Sequence, residues 1–245
     1  MFKTPSEAVA AAKVLKVKLI NIENTDVVLC PPFTDLVSVE GILRESRVSL
    51  GGQNLHWADD GAFTGEISVH MLKDAGCEYV IVGHSERRHV FGETDQEINQ
   101  KVRKALAEGL KPIFCVGEKI DERKSGQTEK VLARQVQNGL EDIQLASAED
   151  LVVAYEPVWA IGTGENATPQ QAEAVHRFVR ELLAEKYGAD MSNLIRIQYG
   201  GSVKPTNAEE LLMQENIDGA LVGGASLVSD DFLMICMAAT EKMEG

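Results

Sequence analysis

Short apolar runs recur along the chain, and each is followed by a polar or glycine-bearing loop and then by a longer amphipathic segment. The runs consist mostly of Val, Ile and Leu with little polar alternation, which is typical of parallel strands covered on both faces. The predicted strands are 26–30, 48–52, 79–83, 112–116, 151–155, 194–199 and 219–224.

The segments between the strands have the periodicity and the end signals of helices. Thr168 and Gln171 form a capping box with Pro169 at the first helical position, and Gly188 ends the segment. Apolar residues follow at i, i+3, i+4, i+7 and i+8, which predicts one buried face. These residues are Val175, Phe178, Val179, Leu182 and Leu183.

Strands that alternate with helices indicate right-handed βαβ units and a parallel sheet. A second capping box at Thr94 and Glu97, with Gly109 as the end signal, supports this pattern. Seven such units in 245 residues fit a closed α/β (β/α)₈ TIM barrel better than an open doubly wound sheet, although the count is one strand short. Since no linker interrupts the pattern, we expect a single domain over residues 1–245.

Composition narrows the functional classes. A net charge of −14 argues against a nucleic-acid surface, and no apolar run is long enough to span a membrane. The four cysteines lie far apart without a CxxC pair, which predicts reduced thiols in the cytoplasm. The histidines also lack metal-binding spacing, so we expect no metal site.

A carboxylate directly follows one predicted strand. Glu156 comes after LVVAY and is followed by Pro157 and by a short loop containing Gly162 and Gly164. In parallel barrels the active groups lie at the carboxyl ends of strands, so Glu156 is a candidate catalytic group. The loop, held by proline at one end and a helix at the other, is a candidate lid. A solvated acid at a strand end is the alternative interpretation.

A histidine follows another strand. His84 comes one residue after YVIVG, where the sequence turns polar, so we place it at a helix start. A helix amino terminus disfavours the imidazolium, so we expect a lowered pKa and a neutral hydrogen-bond donor. Ser85 and Glu86 could support this turn, or Glu86 could form a surface ion pair with Arg87 or Arg88. A structural histidine remains the alternative.

Two glycine pairs end the last two strands, in YGGSV (199–203) and LVGGASL (221–227). Glycine lets backbone N–H groups approach an anion closely, and these loops match the recurrent phosphate site of such barrels. Ser202 adds a hydroxyl, and Gly223 and Gly224 offer amides. Tight turns between strand and helix are the alternative.

A carboxylate base, a neutral donor, a lid and a phosphate site together describe proton abstraction next to a carbonyl in a small phosphorylated substrate. The base would move a proton between adjacent carbons while the histidine stabilises the enediolate oxygens. Closure of the lid would suppress loss of phosphate from that intermediate.

The sequence closely resembles the triosephosphate isomerase family over essentially its whole length. The match lies in YVIVGHSERR, AYEPVWAIGTG, YGGSV, LVGGASL and, at 51–68, GGQNLHWADDGAFTGEIS. The resemblance implies that Glu156 is the base and His84 the electrophile. It implies further that four residues hold the phosphate of the substrate: Gly162, Ser202, Gly223 and Gly224.

The resemblance also implies the reaction and the assembly. The family interconverts dihydroxyacetone phosphate and D-glyceraldehyde 3-phosphate, in glycolysis and gluconeogenesis, without metal or cofactor. Its members are usually homodimers in which the loop corresponding to 53–68 docks into the neighbouring subunit, with Thr64 at the tip of the contact.

One departure concerns the amino terminus. The family's first strand ends in a motif like GNWKM, whose asparagine and lysine reach the active site, and MFKTP aligns with the end of that motif. We therefore expect that residues 1–245 lack this strand and that strands 26–30 and 219–224 face an empty slot. Loss of one preorganised group of this kind costs about 10²–10³ in rate, and loss of a full ammonium costs more, so we expect low activity of residues 1–245 and a native start upstream of Met1.

Two other functions are compatible with the fold. A non-catalytic phosphosugar-binding relative would explain the missing lysine. A Schiff-base aldolase would need a nucleophilic lysine at a strand's carboxyl end. Lys111 precedes its strand and Lys119 lies in a polar loop, so the second alternative has little support.

Overall fold

Seven parallel strands form the sheet of the computed structural model, which describes residues 1–160 and 167–244. Each strand pairs with the next one in chain order, so that β3 pairs with β4 and β4 with β5. The strands are β1 Val27–Leu29, β2 Val48–Gly52, β3 Tyr79–Val82, β4 Lys111–Val116, β5 Val152–Tyr155, β6 Arg196–Tyr199 and β7 Gly219–Ala220.

Helices follow the strands and cover the outside of the sheet. They are α1 Pro5–Lys18, α2 Leu36–Leu43, α3 Val69–Asp74, α4 Ser85–His89, α5 Asp95–Ala107, α6 Ile120–Lys124, α7 Thr128–Gly139, α8 Pro169–Tyr187, α9 Ala189–Leu194, α10 Ala208–Leu212 and α11 Ser229–Glu244. The alternation of strand and helix confirms the predicted α/β TIM-barrel class, with seven strands. Within the described ranges, no helix is both long and apolar enough to cross a membrane.

Burial on both faces explains why the strands show little polar alternation. In β5, Val152 and Ala154 point into a small core inside the barrel, together with Tyr79, Ile113 and Cys115. Val153 and Tyr155 point outward into the larger core beneath the helices. All four residues of β5 are therefore buried, and alternate side chains enter different cores.

The helix ends predicted from the sequence are confirmed. The hydroxyl of Thr168 accepts a hydrogen bond from the Gln171 backbone at 3.2 Å, and Gly188 ends α8 with a φ of 86°. Thr94 caps α5 in the same way, with the Glu97 carboxylate returning to the Thr94 backbone N–H. These contacts satisfy backbone groups that a helix end otherwise leaves unpaired.

Strands β1 and β7 are the two ends of the strand order, as expected for a barrel lacking one strand. Within the described residues each pairs with one neighbour only. Polar contacts nevertheless connect the two sides of the opening: Asp26 with Arg196 at 2.6 Å, and Thr25 with Thr240 at 3.2 Å. Strand β7 is shorter than the predicted 219–224, because the chain turns away from β6 before the glycine pair.

Candidate active site

Glu156 lies directly after β5 and is almost completely buried, with 1% of its surface exposed. Its Oε2 accepts a hydrogen bond from the Ser85 backbone N–H at 2.9 Å, and its Oε1 accepts one from the Ser85 hydroxyl at 3.1 Å. This burial rules out the interpretation of Glu156 as a solvated acid. A buried carboxylate requires such donors, since desolvation without hydrogen bonds is costly.

His84 meets the same carboxylate. Its Nε2 lies 3.0 Å from Oε1 of Glu156, and its Nδ1 accepts a 3.4 Å hydrogen bond from the Glu86 backbone N–H at the start of α4. Because Nδ1 accepts a hydrogen bond, the neutral ring carries its proton on Nε2. This N–H donates a hydrogen bond to the carboxylate of Glu156. The structure thus places the two candidate catalytic groups in direct contact.

The pKa of His84 differs from the expectation. Burial lowers the pKa of this imidazole, but the hydrogen bond and the negative charge of Glu156 raise it by more, and the net result is a raised pKa. The prediction of a lowered pKa is therefore wrong for this arrangement. The sequence argument considered only the helix terminus, whereas an adjacent carboxylate stabilises the imidazolium more strongly.

Glycines allow the neighbouring strand ends to close on Glu156. A Cβ on Gly200 would lie 2.8 Å from the Cγ of Glu156, and one on Gly117 would overlap the Glu156 carbonyl. The Gly200 N–H also donates to the Tyr155 carbonyl at 2.7 Å, which continues the β5–β6 pairing. The absence of a side chain at Gly117 makes room for the Glu156 backbone, and its absence at Gly200 makes room for the Glu156 side chain.

The predicted phosphate-binding residues follow the adjacent strands β6 and β7, whose ends are paired through Tyr199 and Ala220. Ser202 is half-buried, whereas Gly223 and Gly224 are exposed. A Cβ on either glycine would meet nothing within 4 Å, so open space lies beside this backbone. Gly162 lies outside the described residues.

Two arginines, Arg87 and Arg88, form hydrogen bonds and ion pairs next to the site. Arg88 donates to the Gly83 carbonyl at 2.9 Å and to the Cys115 carbonyl at 3.0 Å, which connects the ends of β3 and β4. It also pairs with Asp95 at 2.5 Å, while Arg87 pairs with Glu93 at 3.0 Å. Neither arginine forms the surface ion pair with Glu86 that the sequence left open.

Glu118 is a buried carboxylate that the sequence reasoning missed. Its Oε1 accepts hydrogen bonds from Trp159 at 3.0 Å and from Tyr155 and Arg123 at 3.2 Å each. Trp159 lies in the short 3₁₀ turn Val158–Ala160 just after Glu156, so Glu118 anchors the chain there. The available signal was its position after β4, which is the same signal that identified Glu156.

The lysines considered for Schiff-base chemistry do not occupy a catalytic position. Lys111 begins β4 and therefore lies at the opposite end of the sheet from Glu156, with its ammonium 5.5 Å from the Tyr79 ring. Lys119 is exposed at the start of α6. The described residues thus offer little support for an aldolase.

The loop 53–68 carries the predicted docking surface. Residues 59–66, which include Thr64, are exposed, and the Phe63 side chain remains 45% exposed. His56 lies behind them, with its ring centroid 4.1 Å from that of Phe63 and 4.2 Å from that of Trp57. A packed aromatic group therefore supports an exposed loop.

Comparisons with a family model, with relatives and with a solved structure all point to the same family. The family model described as triosephosphate isomerase matches residues 1–239. The triosephosphate isomerase of Carboxydothermus hydrogenoformans is 52% identical over 96% of this chain and 94% of its own length. That of Fusobacterium nucleatum is 50% identical over 97% and 95%. The crystal structure of triosephosphate isomerase from Bartonella henselae superposes with a TM-score of 0.89 at 41% identity, covering 97% of this chain and 94% of that chain.

Proposed function

Since this chain belongs to the triosephosphate isomerase family, we propose that Glu156 and His84 interconvert dihydroxyacetone phosphate and D-glyceraldehyde 3-phosphate. The observation that carries the proposal is the 3.0 Å contact between a buried carboxylate and an imidazole at the carboxyl ends of β5 and β3. A base and a donor that converge on one point can act on adjacent atoms of one substrate.

Glu156 acts as the base in this scheme. It removes a proton from the carbon that bears the hydroxyl group, the electrons of that C–H bond move toward the carbonyl, and an enediolate forms. The same carboxyl group returns the proton to the neighbouring carbon. The former carbonyl oxygen gains the proton that the hydroxyl oxygen loses, and that hydroxyl oxygen becomes the new carbonyl oxygen. His84 donates a hydrogen bond from Nε2 to the oxygens on which negative charge develops.

The substrate-free contacts imply an order of events. Glu156 is held by Ser85 and His84, so its carboxylate must leave these donors to reach a substrate carbon. When it leaves, the contribution of Glu156 that raises the pKa of His84 is lost, while burial still lowers that pKa and the charge of Glu86 still raises it. The neutral form of His84, which the chemistry needs as a donor, is then more favoured than in the substrate-free pair.

The phosphate of the substrate binds to Gly162, Ser202, Gly223 and Gly224. Backbone amides and one hydroxyl suit this role, because they stabilise an anion without a formal charge. Such local donors are needed in a protein with a net charge of −14, whose overall field repels anions.

The assembly is a homodimer in the cytoplasm. The loop 53–68, with Thr64 at its tip, inserts into the second subunit, and its exposed Phe63 supplies apolar contact area. All four cysteines are free thiols, which suits a reducing compartment. Sedimentation equilibrium tests the dimer: a Phe63→Asp variant should dissociate at concentrations where the unchanged chain is dimeric.

Turnover of D-glyceraldehyde 3-phosphate tests the proposed reaction. We measure it in a version of the chain that is extended before Met1 by the amino-terminal residues of the Carboxydothermus hydrogenoformans relative. The extended version should turn over the substrate at a rate far above the uncatalysed one. An extended version without turnover would contradict the proposed reaction.

Two variants of the extended version test the roles of residues. Glu156→Gln should lower kcat by at least about 10³ with little change in KM, because it removes the base. Gly224→Leu should instead raise KM, because its side chain occupies the space next to the phosphate amides. If the extended version without substitutions binds triose phosphate but does not turn it over, the alternative of a non-catalytic binding protein is favoured.

A further inference from the structure

Three potential metal ligands from separate parts of the chain meet on the surface, at residues that the proposed reaction does not use. Asp59 lies in the loop 53–68, His70 is the second residue of α3, and Glu108 caps the carboxyl end of α5. Each offers one ligand atom, and these atoms lie within 4.8 Å of one another. We call this group the Asp59–His70–Glu108 cluster.

The spacing within the cluster suits a transition-metal ion. Oδ1 of Asp59 and Nε2 of His70 are 3.1 Å apart and share a hydrogen bond, which a metal ion between them would replace. Two neighbouring ligands of a zinc ion, each about 2.1 Å from the metal, lie about 3.0–3.4 Å apart. Glu108 has a flexible side chain that can bring its oxygen closer than the present spacing. One imidazole and two carboxylates are a ligand set that Zn²⁺ and its first-row neighbours accept.

A positive charge already lies between the two carboxylates. The ammonium group of Lys104 contacts Oδ1 of Asp59 and lies 2.9 Å from Oε1 of Glu108. The cluster therefore attracts a cation by its arrangement, and Lys104 is the internal competitor for that position. His70 and Asp59 are each more than half exposed, so an ion can enter from the solvent without rearrangement of the core.

We propose that Asp59, His70 and Glu108 bind one divalent transition-metal ion per chain, and that the ion displaces the Lys104 ammonium into solvent. The bound ion would connect the loop 53–68 to α3 and α5. Because an ion that binds only the folded chain stabilises it, binding would also raise the melting temperature. This site is structural and is separate from Glu156 and His84.

Calorimetric titration of residues 1–245 with Zn²⁺ at neutral pH tests the proposal. The unchanged chain should bind one equivalent, and His70→Ala should weaken this binding at least tenfold. His89→Ala is the matched control, since His89 is also exposed but lies outside the cluster. It should bind zinc like the unchanged chain.

The Lys104→Met variant separates this site from unspecific zinc binding. Removal of the competing ammonium should tighten zinc binding at least tenfold, and adding His70→Ala to it should abolish the gain. Melting temperatures with and without Zn²⁺ should follow the same ranking. Equal zinc affinities of the unchanged chain and His70→Ala would overturn the site, and an unchanged affinity in Lys104→Met would overturn the displacement of the lysine.

Discussion

The imidazole Nε2 of His84 lies 3.0 Å from Oε1 of Glu156, although β4 separates the strands that these residues follow. The contact joins the two candidate catalytic groups and raises the pKa of the imidazole. A carboxylate this close stabilises the charged form of the imidazole. The contact with Glu156 therefore favours the imidazolium, whereas the reaction requires the neutral imidazole as donor.

The first prediction concerns the titration of His84. In Glu156→Gln the negative charge is lost while burial of the ring remains, so the pKa of His84 should fall. NMR titration of the ring C–H signals measures this directly: the midpoint should lie above about 6.5 in the unchanged chain and lower in the variant. A midpoint that is the same in both proteins would exclude Glu156 as the cause of the raised pKa.

The second prediction concerns stability and pH. Because the pKa of His84 is raised in the folded chain above its unfolded value of about 6.5, the contact contributes stability below that pH. This contribution is lost as pH rises through the folded pKa. Urea unfolding should therefore show a larger loss of stability in His84→Asn at pH 6 than at pH 9. A loss independent of pH would indicate a packing effect alone.

The third prediction uses the glycine next to the base. Gly200→Ala would place a Cβ 2.8 Å from Cγ of Glu156 and 3.2 Å from the Tyr155 carbonyl, so the carboxylate must move. In the extended version kcat should fall by about 10²-fold, because a misplacement of about 1 Å has that effect. Gly41→Ala is the control: it lies in α2 with nothing within 4 Å and should stabilise the chain by about 0.5–1 kcal/mol without changing kcat.

Local sequence patterns predict the strands and the position of Glu156 well. The run 151–155 is apolar throughout and ends at an acid, so both β5 and the strand-end carboxylate can be predicted from adjacent residues. The capping residues of α8 are equally local, since Thr168 and Gln171 contact each other within one turn. Features that depend on neighbouring residues, such as strands and helix caps, can therefore be predicted from the sequence.

Contacts between distant segments of the chain are harder to predict from the sequence. Nothing around Ser85 indicates that it donates to Glu156, because that contact depends on the relative positions of β3 and β5. The predicted end of β7 is also too late: the Leu221 N–H makes a last hydrogen bond to the Tyr199 carbonyl at 3.0 Å, while the apolar pattern continues to Val222. The pKa of His84 was predicted in the wrong direction for the same reason.

The fourth prediction concerns the buried carboxylate of Glu118. Tyr155→Phe removes one donor from an acid with no exposed surface, whose Oε2 already lacks a partner within the described residues. The cost should be about 1.5–3 kcal/mol in urea unfolding. Tyr187→Phe is the control, because its hydroxyl is buried without a partner in the same ranges and its removal should cost less than about 0.5 kcal/mol. Equal losses would contradict the role of the Tyr155 hydrogen bond.

The last prediction concerns the ion pair between Lys101 and Glu93, whose side chains are each 4% exposed. Lys101 also donates to Asn54 at 2.8 Å, and Glu93 keeps a second partner in Arg87. Burial lowers the pKa of Lys101 although Glu93 opposes this change, so the charged form depends on its partner. Lys101→Met leaves Glu93 buried with only Arg87 and should cost about 3 kcal/mol.

Substitution of both partners separates the energy of the Lys101–Glu93 ion pair from the contributions of each side chain to packing. In Lys101→Met/Glu93→Leu no unpaired charge remains at either position, so the double variant should lose less stability than the sum of the two single losses, by about 1–3 kcal/mol. Urea unfolding at one protein concentration gives the free energy of unfolding of the unchanged chain, the two single variants and the double variant. The same cycle at the pair Arg44–Glu40, whose arginine is largely exposed, should give a coupling of only about 0.3–0.5 kcal/mol, because solvent screens that interaction. Additive losses at Lys101 and Glu93 would mean that packing, and not their charge pairing, stabilises this part of the chain.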